Sequence, residues 1–151
     1  MTAGLVWLAW LIWPRPSDED RIRALFHTVA DAIADGRYRP IADAIDTQYS
    51  DSSGNIKPDI LDLLRPMTPL NPESYHIEFD SIRIIFSDAE TARADIDCKL
   101  FIETRQTQAV VQTIPASVTV YLHKTDDRWR IIRAEGWQQA AERAGFGHFG
   151  P

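Results

Sequence analysis

A chain of 151 residues, 44% hydrophobic and 25% charged, has the composition of one globular domain and not of a disordered segment. Its net charge of −6, without a basic stripe, argues against nucleic acid as a partner. A single cysteine, Cys98, excludes an intrachain disulfide. The four histidines do not have the spacing of metal ligands. The sequence therefore predicts no metal site and no cofactor.

The first element in the chain is an apolar segment, residues 3–13, which is followed by Pro14. As a helix it is about 16 Å long, too short to cross a hydrocarbon core of about 30 Å. Its length suits an export signal, and its regularly spaced tryptophans favour a membrane interface. We predict that residues 1–16 are a membrane anchor or export signal of a bacterial protein, which is then membrane-associated or periplasmic. A buried helix, or a start site that clips a longer anchor, is the alternative.

The first helix is predicted between Ser17 and Gly36. Ser17 begins a capping-box-like pattern with Asp20, and Gly36 supplies the stop. The apolar positions between them follow one helical stripe: Ile22, Leu25, Phe26, Val29, Ala30 and Ile33. A second helix is predicted from Pro40 to about residue 47, and a third over 58–65, which a proline ends.

After these helices the apolar period changes to two, which indicates strands. The predicted strands are residues 75–86, 91–102, 108–124 and 129–137, and a brief helix is expected over 138–144. A bulge is expected at Ser81, and Pro115 requires a bulge or an edge. The sequence therefore predicts an α+β fold in which three N-terminal helices pack on a curved antiparallel sheet.

Three short motifs carry a family resemblance. They are A-D-G at 34–36, Y-x-D-x-x-G at Tyr49, Asp51 and Gly54, and W-R-I-I-R-A-E-G-W at 129–137. In this order they resemble the nuclear-transport-factor-two-like superfamily, the cystatin-like cone fold that includes ketosteroid isomerases and SnoaL-like polyketide cyclases. The resemblance covers about residues 17–140, and it implies a cone-fold domain there. The remaining residues, 141–151, are predicted to form a C-terminal tail.

Asp51 is the candidate catalytic residue. The resemblance places it where ketosteroid isomerases carry the aspartate that moves a proton. Their tyrosine and their protonated acid correspond to Val29 and Ser117 here, so the resemblance does not favour isomerase activity. Taken alone, Asp-Ser-Ser-Gly is a favourable turn sequence. Asp51 is therefore expected to be a turn residue, with ligand contact and catalysis as the alternatives.

The last strand supplies the second candidate group. If Trp129 faces the helices, the same row continues through Arg133, Glu135 and Trp137. An Arg–Glu pair beside an indole would orient a polar group of a ligand; the alternative is a rim ion pair worth about 0–1 kcal/mol. The predicted ligand-binding residues are Tyr49, Asp51, Arg133, Glu135 and Trp137.

These observations favour a non-catalytic cone-fold domain, held at or exported across a bacterial membrane. It would bind a small apolar molecule or a protein partner, and a homodimer through the outer sheet face is predicted. The alternative is a small-molecule lyase, hydrolase or cyclase that uses Asp51 as acid or base. A third hypothesis is a structural module of a larger envelope complex.

Overall fold

The computed structural model describes residues 15–65 and 71–146. The helices are α1 (Asp18–Asp35), α2 (Tyr38–Ala44), α3 (Lys57–Leu64) and α4 (Trp137–Arg143). The strands are β1 (Glu73–Phe86), β2 (Thr91–Thr104), β3 (Val110–Thr125) and β4 (Arg128–Glu135). The α+β class is confirmed. Three helices precede the sheet and a fourth follows it, where the sequence indicated a brief helix.

Helix α1 begins and ends where the sequence predicted. The Ser17 hydroxyl accepts a hydrogen bond from the Asp20 backbone N–H at 3.1 Å, and acidic residues fill the first turn, where the helix dipole favours them. Gly36 ends the helix with φ of 67°, and the N–H of Arg37 bonds to the carbonyl of Ala32 at 2.8 Å.

The sheet is a four-stranded antiparallel meander in the order β1-β2-β3-β4. A register shift between Phe79 and Ser81 confirms the predicted bulge. Pro115 pairs with Lys99 of β2, while the β4 ladder reaches only as far as Thr119. Pro115 therefore lies where β3 has no β4 partner, which is the edge position that a proline allows.

The core fills the space between α1 and the inner face of the sheet. Its largest cluster joins Ile22 and Phe26 of α1 to Leu122 and Trp129 of the sheet. The inward row of each strand supplies this cluster, as a sheet with one apolar face requires.

The packed region extends past the predicted domain end at residue 140. That boundary falls inside α4, whose Ala141 is buried. Phe146 lies 5.2 Å from the ring of Tyr75 and packs against a third cluster that contains Ile114. Packing against the core therefore continues into residues 141–146.

Polar side chains link β1, β2 and β3 on the outer face of the sheet. Arg83 pairs with Asp95 at 3.0 Å across β1 and β2. Asp97 accepts hydrogen bonds from Ser81 at 3.2 Å and Ser117 at 2.7 Å, which links three strands. These contacts pair Arg83, Asp95 and Asp97 within the face itself.

The predicted membrane segment, residues 3–13, lies outside the described residues. Within residues 15–65 and 71–146, no helix is long and apolar enough to cross a membrane.

Candidate functional site

The segment that carries Tyr49 and Asp51 runs beside β4. Ile45 forms a bridge with Ile131, and the N–H groups of Asp46 and Ser50 bond to the carbonyls of Ile131 and Ile132 at 2.9 and 3.2 Å. The segment therefore covers the free edge of β4 and fixes the position of the turn that follows.

The Asp51 carboxylate is directed into its own turn. Its Oδ1 accepts from the backbone N–H of Ser53 at 3.0 Å, and from Asn55 through its backbone N–H at 3.1 Å and its amide at 3.2 Å. Its Oδ2 accepts from Tyr49 Oη at 3.0 Å and from the Asn55 amide at 3.2 Å. An ionised carboxylate offers about four lone-pair sites. These five contacts therefore occupy its capacity to accept hydrogen bonds.

Tyr49 supports the same turn. Its side chain is buried, and its hydroxyl donates to Asp51 and lies 3.5 Å from the carbonyl oxygen of Ala134. Burial, then the charge of Asp51 and the hydrogen bond to it, raises the pKa of Tyr49 well above its usual value. The phenol is therefore a fixed donor and a poor acid.

Arg133 and Glu135 do not continue the inner row of β4. The β3–β4 register shifts between Tyr121 and Leu122, so that Leu122 pairs with Ile131 and Tyr121 pairs with Arg133. One extra residue of β4, Ile132, lies at this shift, and it moves each later side chain to the opposite face. The expected row was wrong beyond Ile131: Arg133 and Glu135 belong to the outer face.

Glu135 connects β4 to the 51–55 turn. Its Oε1 accepts from the backbone N–H of Ser52 at 2.8 Å and from Arg133 Nε at 2.7 Å, and its Oε2 accepts from the Ser52 hydroxyl. Burial raises the pKa of Glu135, but the hydrogen bonds from Ser52 and the Arg133 guanidinium outweigh it and hold that pKa below its usual value.

The structure thus joins the five predicted site residues. Trp137 Nε1 donates to the Ala134 carbonyl at 3.1 Å, the same oxygen that Tyr49 approaches. We refer to Tyr49, Asp51, Ser52, Asn55 and Glu135 as the turn cluster. Its bonds connect the turn to β4, and the ligand-binding role of its members stays a prediction.

The two positions that correspond to isomerase donors are also placed. Val29 packs in the apolar cluster that contains Tyr49. Ser117 lies on the outer face and donates to Asp97. Neither faces the Asp51 carboxylate with a proton to donate.

Sequence reasoning missed the structural role of Gly136. Its φ is 89°, and a Cβ atom there would lie 2.3 Å from the carbonyl oxygen of Ser117. Only glycine allows both the positive φ and this close approach. The glycine directly after the strand in A-E-G-W was the available signal.

A second cluster that sequence reasoning missed holds the start of α1 on the β3–β4 hairpin. Asp18 accepts from Trp129 Nε1 at 3.0 Å, from Lys124 Nζ at 3.2 Å and from Arg21 Nη1 at 3.2 Å. The hydrogen bond from Trp129, together with the two cations, lowers the pKa of Asp18.

Two open depressions lie near the turn cluster. The first, here called the apolar hollow, has a volume of about 340 Å³ and lies among α1, α2 and α3, with Ile33, Tyr38, Ile41 and Leu64 in its lining. The second, here called the β4 groove, has a volume of about 850 Å³ and is lined by Ile45–Gln48, Lys57, Arg128, Arg130 and neighbouring residues. Asp51 lines neither. Among the residues that the structure describes, no group of His, Cys, Asp and Glu is arranged to hold a metal ion.

Solved structures share this architecture. A nuclear transport factor 2-like superfamily protein from Salmonella enterica has a TM-score of 0.59 and 13% identity, over 75% of this chain and 84% of that protein. An uncharacterized cystatin-like protein from Caulobacter vibrioides has a TM-score of 0.61 and 15% identity, over 77% and 85%. A hexachlorocyclohexane dehydrochlorinase, LinA type 2, has a TM-score of 0.62 and 15% identity, over 77% and 81%.

These neighbours confirm the nuclear transport factor 2-like cone fold predicted from the resemblance. No protein-family model and no curated protein matches the sequence. Because one neighbour is an enzyme and another is uncharacterized, the fold alone does not assign a function.

Proposed function

We propose that this chain is a non-catalytic cone-fold domain that binds a small apolar molecule. The supporting observation is the saturated carboxylate of Asp51, which the turn and Tyr49 occupy with five contacts. A general base needs a lone pair within hydrogen-bond reach of the proton that it removes. Asp51 has none to offer without breaking its turn.

The apolar hollow is the site that we propose for the ligand. Its volume of about 340 Å³ lies within the range of small-molecule pockets, about 300–1,000 Å³. The two arginines of its lining are already paired: Arg37 with Asp35 and Arg65 with Asp62, both at 3.2 Å. The remaining lining is mainly aliphatic, which suits an apolar ligand.

A neutral fluorescent probe, N-phenyl-1-naphthylamine, tests this site on the full chain. Leu64 lines the hollow, whereas its neighbour Leu63 does not. Leu64→Gln is expected to weaken probe binding by about fivefold or more, since a polar group replaces apolar contact. Leu63→Gln should leave the affinity within about twofold. Non-saturable binding, or equal effects of both variants, counts against the proposal.

Asp51→Asn separates this proposal from the enzyme alternative. A binding domain keeps its probe affinity in this variant. If a substrate screen finds a lyase, hydrolase or cyclase reaction that Asp51→Asn abolishes with the fold intact by circular dichroism, then the enzyme alternative replaces the proposal.

The proposed location, at a bacterial membrane or outside the cytoplasm, depends on the sequence of residues 3–13 alone. Cell fractionation of the full chain and of a variant without residues 1–16 tests it. The full chain should sediment with membranes or leave the cytoplasm, and the shortened chain should do neither. Identical fractionation of the two would remove this part of the proposal.

A protein partner, or a second copy, is the remaining proposal for the outer sheet face. Arg83, Asp95 and Asp97 make this face polar, so such an interface would be rich in hydrogen bonds. Sedimentation velocity across a concentration series tests the homodimer, and pull-down of co-purifying chains tests the envelope-complex hypothesis. A monomer at all concentrations contradicts the homodimer.

A further inference from the structure

The β4 groove concentrates positive charge on an acidic protein. Its lining contains four cationic side chains, Lys57, Arg128, Arg130 and Arg133, and two acidic ones. The chain as a whole has a net charge of −6. The cations come from α3 and from β4, and only the fold brings them to one groove. A cleft whose lining carries a net positive charge attracts anionic ligands.

The cations of the groove are incompletely neutralised. Within the part of the chain that the structure describes, the side chains of Lys57 and Arg128 make no hydrogen bond or ion pair. Arg130 donates to the Thr125 carbonyl oxygen at 3.5 Å, a long contact with a neutral group. Arg133 is paired with Glu135 at 2.7 Å, and the two acids of the lining leave one more cation than anion among the remaining groups. Charge therefore remains in the groove for a ligand.

The shape and composition of the groove limit the ligand. A volume of about 850 Å³ is larger than one small ion requires. The lining offers Thr47, Gln48 and Ser50 as further hydrogen-bonding groups. It contains no Phe, Tyr or Trp on which a nucleobase would stack. Guanidinium groups match phosphate and carboxylate groups with two parallel hydrogen bonds.

We propose that the β4 groove is a binding site for a small polyanion, a molecule with two or more phosphate or carboxylate groups on a short polar skeleton. Arg128 and Arg130 contact the anionic groups, and Lys57 lies at the α3 side of the same groove. This site is separate from the apolar hollow and uses none of its lining residues.

Titration of the full chain with inorganic pyrophosphate tests the site, with sodium chloride at matched ionic strength as the reference. We expect saturable binding by calorimetry with a Kd of about 1 mM or lower. Arg128→Gln combined with Arg130→Gln is expected to weaken it by about tenfold or more. The matched control is Arg83→Gln combined with Arg93→Gln, which removes the same charge from β1 and β2 and should change the affinity by less than about twofold.

A second arm distinguishes a free anion from a lipid headgroup. Flotation compares vesicles of phosphatidylcholine with vesicles that also contain phosphatidylglycerol, and all variants keep residues 3–13. The groove variant is Arg128→Gln combined with Arg130→Gln. If this variant loses the preference for anionic vesicles while the wild type does not bind pyrophosphate, then the anion is a headgroup phosphate. The site does not exist if pyrophosphate and anionic vesicles both bind the wild type no more tightly than they bind the groove variant. The same conclusion follows if the control variant is weakened as much as the groove variant. The apolar probe and the Leu64→Gln variant report on the hollow independently of either result.

Discussion

The turn cluster and the β4 groove lie beside the same strand, but they differ in whether their charged side chains have partners within the fold. In the turn cluster, Asp51 and Glu135 receive hydrogen bonds from backbone and side-chain donors on both of their oxygens. In the groove, Lys57 and Arg128 find no partner in the described part of the chain. A charge that its own fold satisfies stabilises the structure, whereas an unsatisfied charge beside an open volume is available to a ligand.

The largest expected effect comes from Gly136, which joins β4 to α4 beside the turn cluster. In Gly136→Ala the new Cβ meets the Ser117 carbonyl oxygen at 2.3 Å, and the backbone keeps a φ of 89°. The conformational cost of about 1–2 kcal/mol adds to an overpacking cost of about 1–3 kcal/mol. Urea denaturation should show a loss of about 2–5 kcal/mol in the free energy of unfolding.

Gly54→Ala is the matched control for that variant. Gly54 also has a positive φ, 81°, but a Cβ there meets no atom within 4 Å. Its expected cost is the conformational part alone, about 1–2 kcal/mol. Equal losses in the two variants would show that the contact with Ser117 relaxes and that the junction is not locked.

Asp51→Ala is expected to cost about 2–4 kcal/mol of unfolding free energy, because the buried Tyr49 hydroxyl and the donors of Ser53 and Asn55 lose their acceptor. Asp51→Asn keeps one oxygen for these donors and should cost about 1 kcal/mol. Thermal and urea denaturation measure both. If Asp51→Ala left the free energy of unfolding unchanged, the structural role would be contradicted. Asp51 would then again be a candidate functional acid.

The sequence predicted the elements of the fold well, because each depends on local pattern. The apolar stripe, Ser17 and Gly36 set the bounds of α1, and the change of period to two indicated the strands. The sequence even indicated the bulge at Ser81. It failed at Ile132, because the predicted row kept a period of two through the apolar pair Ile131–Ile132, which interrupts the alternation of β4. One inserted residue exchanged the faces of Arg133 and Glu135.

The site was predictable only in part, for the same reason. The sequence Asp-Ser-Ser-Gly predicted the turn that holds Asp51, because the hydrogen bonds of the Asp51 carboxylate all come from residues within four positions. The contact between Ser52 and Glu135 joins residues 83 positions apart, and local patterns carry no information on it. The β4 groove could not be predicted either. The net charge of −6 describes the whole chain, whereas the cations of the groove come together only in the fold.

Ser52→Ala tests the connection between the turn and β4 with a smaller effect. Without the Ser52 hydroxyl, the pKa of Glu135 should rise towards its usual value, because one of the hydrogen bonds that lower it is lost. A carboxyl whose pKa is lower in the folded state stabilises that state above its unfolded pKa. This contribution is present at neutral pH and is lost as the pH falls through the folded-state pKa.

The wild type should therefore lose more unfolding free energy than Ser52→Ala as the pH falls from neutral to below the usual pKa of Glu135. Titration of the Glu135 carboxyl by ¹³C NMR measures the pKa, and urea denaturation at the two extremes measures the stability. Ser53→Ala is the control, since only the backbone N–H of Ser53 bonds to the turn. An unchanged Glu135 pKa in Ser52→Ala would mean that the hydroxyl contact is not made.

The smallest expected effect belongs to the groove. Arg128→Gln removes a charge with no described partner, so the free energy of unfolding should change by less than about 0.5 kcal/mol. Arg133→Gln breaks the 2.7 Å pair with Glu135 and should cost about 0.2–1 kcal/mol, because Arg133 is half exposed. Urea denaturation of the two variants at low salt measures and compares their free energies of unfolding. If Arg128→Gln destabilised the chain more than Arg133→Gln, then Arg128 would already have a stabilising partner within the chain. The groove and the turn cluster would then both hold paired charges, of opposite sign.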